Sequence, residues 1–452
     1  MKRLATQLIF VLVFVKILSA GLHSFSPFVH PHIKRQSDTL GLSLRYWLRW
    51  SVEEDQFNPL VPALLSAGDS RGISPTEFPL LNLITAPAFS LPIEEARTAA
   101  RLILWALLVL LLVLNLKAWK GIRIGPVDMQ WVIWISPVVG IHQIYLSKFI
   151  PDILSYQLVL LALGWSWERP KVWRSFFALS VGLLIKPTAV CVLFLTLLRS
   201  KTKTIRDLIW MVPSFAVMFL YYRGLVPQIQ EISDMSYFRM SNRRGTWPEL
   251  VEIAESPRKI LHLFSDLLFY PLFGVVALIF ALFSKLIDQF VVRLFFILLL
   301  QVLSMMVLAG SHVLDHSYYV AGISTTSALI LATLLYRASG AWVAILVLPW
   351  VIGVLSNMVY EIRPVISPET TAVGRLWKSC SEIRKKHPEV EWGTDLRIQT
   401  EFTKVAEVGV CIGQIQNSKN GQWGLFRKKA NIPSNCNVID REEPFYFVSC
   451  ED

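Results

Sequence analysis

Asp38 stands in Lys34-Arg35-Gln36-Ser37-Asp38-Thr39, a carboxylate close behind two cations and a short way past the first apolar run of the chain. A carboxylate can take a hydroxyl proton as that oxygen attacks. A guanidinium beside it can grip a phosphate through two parallel N–H bonds. Placed just outside a hydrophobic run, the pair suits chemistry on an amphiphile whose phosphate lies at the water boundary. A solvated loop of mixed charge has the same composition, so the reading depends on where the other polar residues fall.

Four further sites carry polar residues that could do chemistry. Glu77, in Thr76-Glu77-Phe78-Pro79-Leu80, reads as an exposed loop acid, or as a group that orients an acceptor or shares a cation with a second carboxylate. Asp152 follows Pro151 and opens an apolar run; an N-cap, satisfying unpaired backbone N–H groups, accounts for it without excluding a second role. Lys186-Pro187 interrupts an otherwise continuous apolar run, where a lysine can snorkel to the interface or hold a phosphate. His312, Asp315, His316, Tyr318 and Tyr319 form the densest polar cluster beside any span. On a helix His312 and His316 share a face and could ligate a metal, and the tyrosines also fit an interfacial belt.

These residues need a membrane around them, and composition supplies one. Of the 452 residues 54% are hydrophobic and only 17% charged, with sixteen tryptophans and a mean hydropathy of +0.48. That is too little charge to cover a soluble protein of this size, so the chain reads as an all-α polytopic membrane protein. The net charge of +11 implies no nucleic-acid partner, because most Lys and Arg lie in short loops beside apolar runs. No Gly-rich phosphate loop is present, which argues against ATP hydrolysis.

Apolar runs near 5–21, 98–116, 128–147, 153–166, 174–186, 187–199, 207–223, 263–283, 290–309, 319–336 and 341–359 predict about eleven spans. The first resembles a signal peptide but reads as a retained helix, given the spans that follow. Lys117, Lys120, Arg123, Arg169, Lys171, Arg174, Arg199, Lys201, Lys203 and Arg206 all fall on one side with Lys2, Arg3 and Arg337. That side is expected to be cytoplasmic. The outer side then holds the first loop (22–97), the turns at 148–152 and 186–187, the loop 224–262, the segment 310–318 and the tail 360–452. Every polar site named above lies there, while the mid-span regions read as nearly uncharged.

The tail predicts a small α/β domain on the outer side, with a helix near 368–386 and strands near 395–402, 406–415 and 444–449. Cys380, Cys411, Cys436 and Cys450 all lie in it, an even number in an oxidising compartment, so two disulfides are expected with three pairings open. Cys191 lies within a span and reads as a packing residue.

Arg35-Gln36-Ser37-Asp38-Thr39, Glu77-Phe78-Pro79-Leu80, Pro151-Asp152, Lys186-Pro187 and His316-Ser317-Tyr318-Tyr319 occur in one order and spacing. Over roughly residues 5–340 this pattern resembles the bacterial family 39 type glycosyltransferases of the GT-C fold, relatives of the dolichyl-phosphate-mannose protein mannosyltransferases and aminoarabinose transferases. The resemblance implies a GT-C transmembrane domain over 1–359, with the catalytic motif in loop 22–97; the extracytoplasmic domain over 360–452 is read from the topology and lies outside the resemblance. The resemblance also implies a polyprenyl-phosphate sugar donor, and transfer on the outer face of the inner membrane to a lipid, glycan or protein acceptor. It carries the catalytic acidic role onto Asp38 and the second acidic motif, which in some relatives assists metal or phosphate binding, onto Asp152.

Inverting transfer of a hexose or pentose then needs one base, Asp38, because a lipid phosphate leaves as a stable anion. Arg35, Glu77, Lys186, His316, Tyr318 and Tyr319 are the candidate substrate-binding residues, and Asp152, Glu77 and His316 the candidates for a divalent metal. The chain departs from the pattern at Lys34, where an aromatic usually stands, in the acidic run Glu53-Glu54-Asp55, and throughout the tail. The competing expectations are a polytopic transporter or lipid flippase, marked by mid-span ionisable residues and pseudo-repeated halves, and a membrane glycan polymerase or ligase.

Overall fold

The structure, a computed structural model, describes residues 2–26, 36, 39–43, 46–47, 78–140, 142–167, 172–226, 251, 255–258, 288–309, 313, 317–339 and 341–366. In the tail it describes 378–379, 382–383, 385–387, 396–397, 422–426, 432, 434, 436–442 and 445–450. The expected span 263–283 and strand 406–415 lie outside these residues.

Helices dominate because the apolar runs are long and nearly free of charge. α1 (Lys2–Leu22) has 21 residues, roughly 31 Å of helix and about the thickness of bilayer hydrocarbon. Among the described residues six helices are long and apolar enough to cross a membrane. Shorter apolar helices fill in between them, including α6 and α7 below. The chain is a multi-pass membrane protein, and the expected figure of about eleven spans goes beyond what the described helices establish.

α2 (Leu80–Thr85) is one short turn-rich helix, and α3 (Ile93–Ala118) follows it. A hairpin of β1 (Arg123–Ile124) and β2 (Val127–Asp128) leads into α4 (Met129–Ile135). The expected span over 128–147 is not a single helix. It breaks into α4, a 3-10 turn at Ser136–Val138 and the four-residue α5 (His142–Tyr145). Pro137 withdraws a backbone donor there, and Gly140 takes φ 55°, which ends a right-handed helix.

α6 (Asp152–Ser166) is apolar all round and buried along nearly its whole length, so it runs through the middle of the bundle. It packs against α3, against α7 (Val172–Ile185), and against a 3-10 helix of twelve residues, Pro187–Leu198. α8 (Lys201–Phe219) continues into a π-helical turn at Leu220–Leu225. α9 (Gln289–Ala309), a 3-10 segment at Ser317–Ile323, α10 (Ser324–Arg337) and α11 (Ala341–Ile366) complete the bundle, with α11 lying on α1. Buried side-chain amides tie the helices where no water can: Asn115 donates to Gln157 Oε1 at 3.0 Å, and Gln301 to the Cys191 carbonyl at 3.0 Å. Cys191 is a free, buried thiol.

The tail holds a four-stranded sheet in the order β3-β4-β6-β5, built from β3 (Leu396–Arg397), β4 (Gln422–Phe426), β5 (Cys436–Glu442) and β6 (Phe445–Cys450). β3 runs parallel to β4 and the other pairs are antiparallel. β6 lies where alternation predicts a strand. β5 escapes sequence reading because half of it is charged or amide; as the edge strand it keeps those side chains in water. Cys436 is disulfide-bonded. Cys380 and Cys411 lie outside the described residues.

Candidate functional site

The site grows from the turn that precedes α6. Asp152 is the first helical residue, not the cap: Pro151 holds the cap position and makes no side-chain cap bond. The capping role expected for Asp152 is therefore corrected. Its buried carboxylate turns toward Lys186, with Oδ1 3.7 Å from Nζ. Lys186 joins α7 to the 3-10 helix in an extended conformation, as a residue before proline must. Its side chain does not run out to water. The ammonium lies 5.2 Å from the centroid of Tyr319 and 5.8 Å from that of Tyr318, cation–π range for both rings.

The tyrosines are held from behind. Tyr156, one turn along α6 from Asp152, donates its hydroxyl hydrogen to the Tyr319 carbonyl at 2.6 Å and lies 3.3 Å from Thr188 Oγ1. Gly322 makes this approach feasible, since a Cβ there would fall 2.5 Å from the Tyr156 ring. Tyr145 packs edge-on against Tyr318. Asp152, Lys186, Tyr318 and Tyr319, all expected at the site, form one cluster. The result is a cation caged by a carboxylate and two aromatic faces, an arrangement able to receive an anionic head group beside an apolar tail.

Arg35, Asp38, Glu77, His312, Asp315 and His316 lie outside the described residues, but the residues flanking the first two motifs do not. Gln36 is buried, and its Oε1 accepts from the backbone N–H of Phe149 at 3.2 Å, three residues before Asp152. The Thr39 carbonyl accepts from Asn82 Nδ2 at 2.6 Å, and Ser43 and Thr85 hydroxyls meet at 2.8 Å. These bonds lay the first-loop segment on α2, directly after Phe78-Pro79. Phe78 packs edge-on against Tyr221 of the π-helical turn.

A second polar cluster adjoins the same turn, and sequence reading missed it. Lys16 is fully buried in α1 and donates to Glu361 Oε2 at 2.5 Å and Asn357 Oδ1 at 2.6 Å, both on α11. Ser147 donates to Glu361 Oε1 at 2.6 Å. The Glu361 carbonyl lies 3.0 Å from His23 Nδ1, and His23 Nε2 lies 3.4 Å from Lys148 Nζ. Arg101 donates to the Ser24 carbonyl at 3.2 Å and also to that of Ser26. Burial pushes the Lys148 ammonium down to about 7, helped by Arg101 and Lys16 and opposed by Glu361. The expectation of nearly uncharged mid-span regions is thus corrected. Lys16 inside the first apolar run and Glu361 near the end of the last were the available signals.

Among the described residues no group of three or more His, Cys, Asp or Glu side chains could hold a metal. Of the expected metal candidates Asp152 alone is described, and it faces an ammonium.

No protein-family profile matches the chain, and a search of curated proteins finds no match. Solved structures do match. The crystal structure of ArnT from Cupriavidus metallidurans bound to undecaprenyl phosphate superposes with a TM-score of 0.56 over 97% of each chain, at 10% identity. The apo structure of the same protein gives 0.54 over 98% of each chain, also at 10% identity. The chain has the GT-C fold. The likeness runs through the tail as well as the membrane bundle, although the tail carries no motif of the resembled family.

Proposed function

We propose that this chain is an integral-membrane glycosyltransferase related to family 39. In this reading it moves a sugar from a polyprenyl-phosphate carrier to a lipid, glycan or protein acceptor on the extracytoplasmic face. The observation that carries the reading is the joining of motif segments far apart in sequence. Gln36 is bonded to the 148–152 turn, that turn presents Asp152 to Lys186, and Lys186 lies under Tyr318 and Tyr319. The GT-C fold supports it, and so does the undecaprenyl phosphate bound by the ArnT with which the chain superposes.

In the proposed reaction the carboxylate of Asp38 takes the proton of the acceptor hydroxyl. That oxygen attacks the anomeric carbon, the bond from this carbon to the phosphate oxygen breaks, and the configuration inverts. The lipid phosphate leaves as an anion, so no second acid is needed; a glycosidase, by contrast, must protonate its leaving group. Lys186 and Arg35 hold the phosphate, Tyr318 and Tyr319 shape the pocket around it, and Glu77 and His316 orient the acceptor. Asp152, the one metal candidate among the described residues, already faces the Lys186 ammonium, which disfavours a divalent ion at that carboxylate.

The Lys16–Glu361 pair is the feature a transporter would use. Its carboxylate accepts from Lys16, Ser19 and Ser147, and at 1% exposure it faces packed protein rather than an open pathway. The deciding experiment incubates purified protein with a synthetic polyprenyl-phosphate sugar and membrane extract, and follows labelled sugar by mass spectrometry. Sugar leaving the carrier for a new product supports the reading. A donor left intact by wild-type protein, with unchanged glycolipids and surface glycans in a deletion strain, sinks it.

A further inference from the structure

We infer that Glu361 is a positioning residue for the transfer site, acting through Ser147 to fix the turn that carries Asp152; this rests on the transfer reading above. Glu361 lies on the last membrane helix, 1% exposed and far in sequence from every motif residue. Its two carboxylate oxygens face different ways. Oε2 accepts from Lys16 at 2.5 Å and Ser19 at 3.4 Å on α1, which balances its charge. Oε1 accepts from Ser147 at 2.6 Å, on the turn itself. Its main-chain carbonyl also meets His23, whose other ring nitrogen meets Lys148. When Nδ1 carries the proton it donates to that carbonyl, and Nε2 is left to accept from the lysine.

One residue therefore grips two consecutive positions of the turn, Ser147 by its side chain and Lys148 through His23. The next residue, Phe149, offers its N–H to Gln36, and three residues later Asp152 meets Lys186. Nothing in charge balance requires the Ser147 bond, since Lys16 alone matches the carboxylate. What the bond does is set the height of the turn relative to α1 and α11. Reacting groups lose rate steeply when displaced by about an ångström, so a loosened turn lowers turnover before it lowers stability.

The test uses full-length protein in detergent, with kcat and KM measured for a polyprenyl-phosphate sugar. Ser147→Ala leaves the Lys16–Glu361 pair and the His23 link to Lys148 intact and removes the hydroxyl bond to Glu361. It is expected to lower kcat about tenfold with the donor KM within about twofold, while Ser147→Thr, which keeps a hydroxyl, restores most of the rate. The Phe149 amide should exchange its hydrogen faster in Ser147→Ala. Wild-type kcat in Ser147→Ala, or equal losses in Ala and Thr together with a lowered melting temperature, overturns the role and leaves the transfer reading standing. Wild-type protein that consumes no donor overturns the transfer reading, and this role with it.

Discussion

Gln36 and Phe149 are 113 positions apart, yet the amide of one accepts the backbone N–H of the other at 3.2 Å. Gln36 is two residues from Asp38 in sequence, and Phe149 is three from Asp152. The bond therefore joins the two acidic motifs of the chain through their flanks. The loop segment is further tied down by Asn82 and Thr85, so its register on the bundle is set by at least three polar contacts.

Asp38→Asn removes the proposed base while keeping size and polarity. Transfer should fall by on the order of 10²–10⁴-fold with expression and membrane insertion unchanged. A purified Asp38→Asn protein turning over near the wild-type rate would remove Asp38 from the mechanism.

Lys186 and Asp152 should separate by kinetic signature. In the proposed reaction Lys186 holds phosphate in ground and transition states alike, so Lys186→Ala should raise the donor KM more than it lowers kcat. Because Asp152 makes no cap bond, Asp152→Ser should be as damaging as Asp152→Ala. Activity retained by Ser alone would restore the capping role and weaken the charge role.

Gly322→Ala places a methyl against the Tyr156 ring and pushes it from the Tyr319 carbonyl. Overpacking of this kind costs about 1–3 kcal/mol, and here it also shifts the aromatic wall beside Lys186. Donor KM should rise with a modest fall in melting temperature. An unchanged KM would detach Tyr318 and Tyr319 from donor binding.

Lys148 gives a pH dependence of definite sign. Its folded value of about 7 lies below the ordinary 10.5, so between these values the unfolded chain holds a proton that the folded chain lacks. Stability should therefore rise as pH increases from about 7 toward 10.5. The groups facing it are His23, Glu361, Arg101 and Lys16. Thermal unfolding in detergent at pH 6, 8 and 10 should show a gain in wild type that is smaller in Lys148→Met. Parallel curves for the two proteins would show that Lys148 is charged throughout.

Cys436 is bonded and Cys191 is free. If the tail lies on the extracytoplasmic side, as proposed, Cys380, Cys411 and Cys450 should also resist thiol labelling until a reductant is added. Labelling of these three without reductant, together with protection of the tail from protease in sealed vesicles of known orientation, would place it in the cytoplasm.

Much of the bundle was legible because periodicity and length act locally. α1, α3, α6, α7 and α9 begin and end within a few residues of the apolar runs that announce them. The clustering of Asp152, Lys186, Tyr318 and Tyr319 could be anticipated because each stands at a break in apolarity. The 128–147 run misled, since Pro137 and Gly140 act on backbone geometry that hydropathy does not register. The Lys16–Glu361 pair was hidden for a different reason. Each residue alone reads as a snorkelling charge near a helix end, and the partnership across 345 positions exists only after α1 and α11 are packed together.

The 3-10 helix at Pro187–Leu198 makes chain length itself a measuring device. Twelve residues wound this way span about 24 Å, where an α-helix of the same residues would span about 18 Å. Both ends are fastened: Lys186 among Asp152 and the tyrosines, and Arg199 to Trp167 and Asp207. The segment thus works as a ruler between two fixed points, and its apolar residues can change while their number cannot. Deleting one residue would draw Lys186 inward by about 2 Å and turn it by about 120°, out of its cage. Inserting one would do the reverse, pushing Lys186 outward by about the same distance.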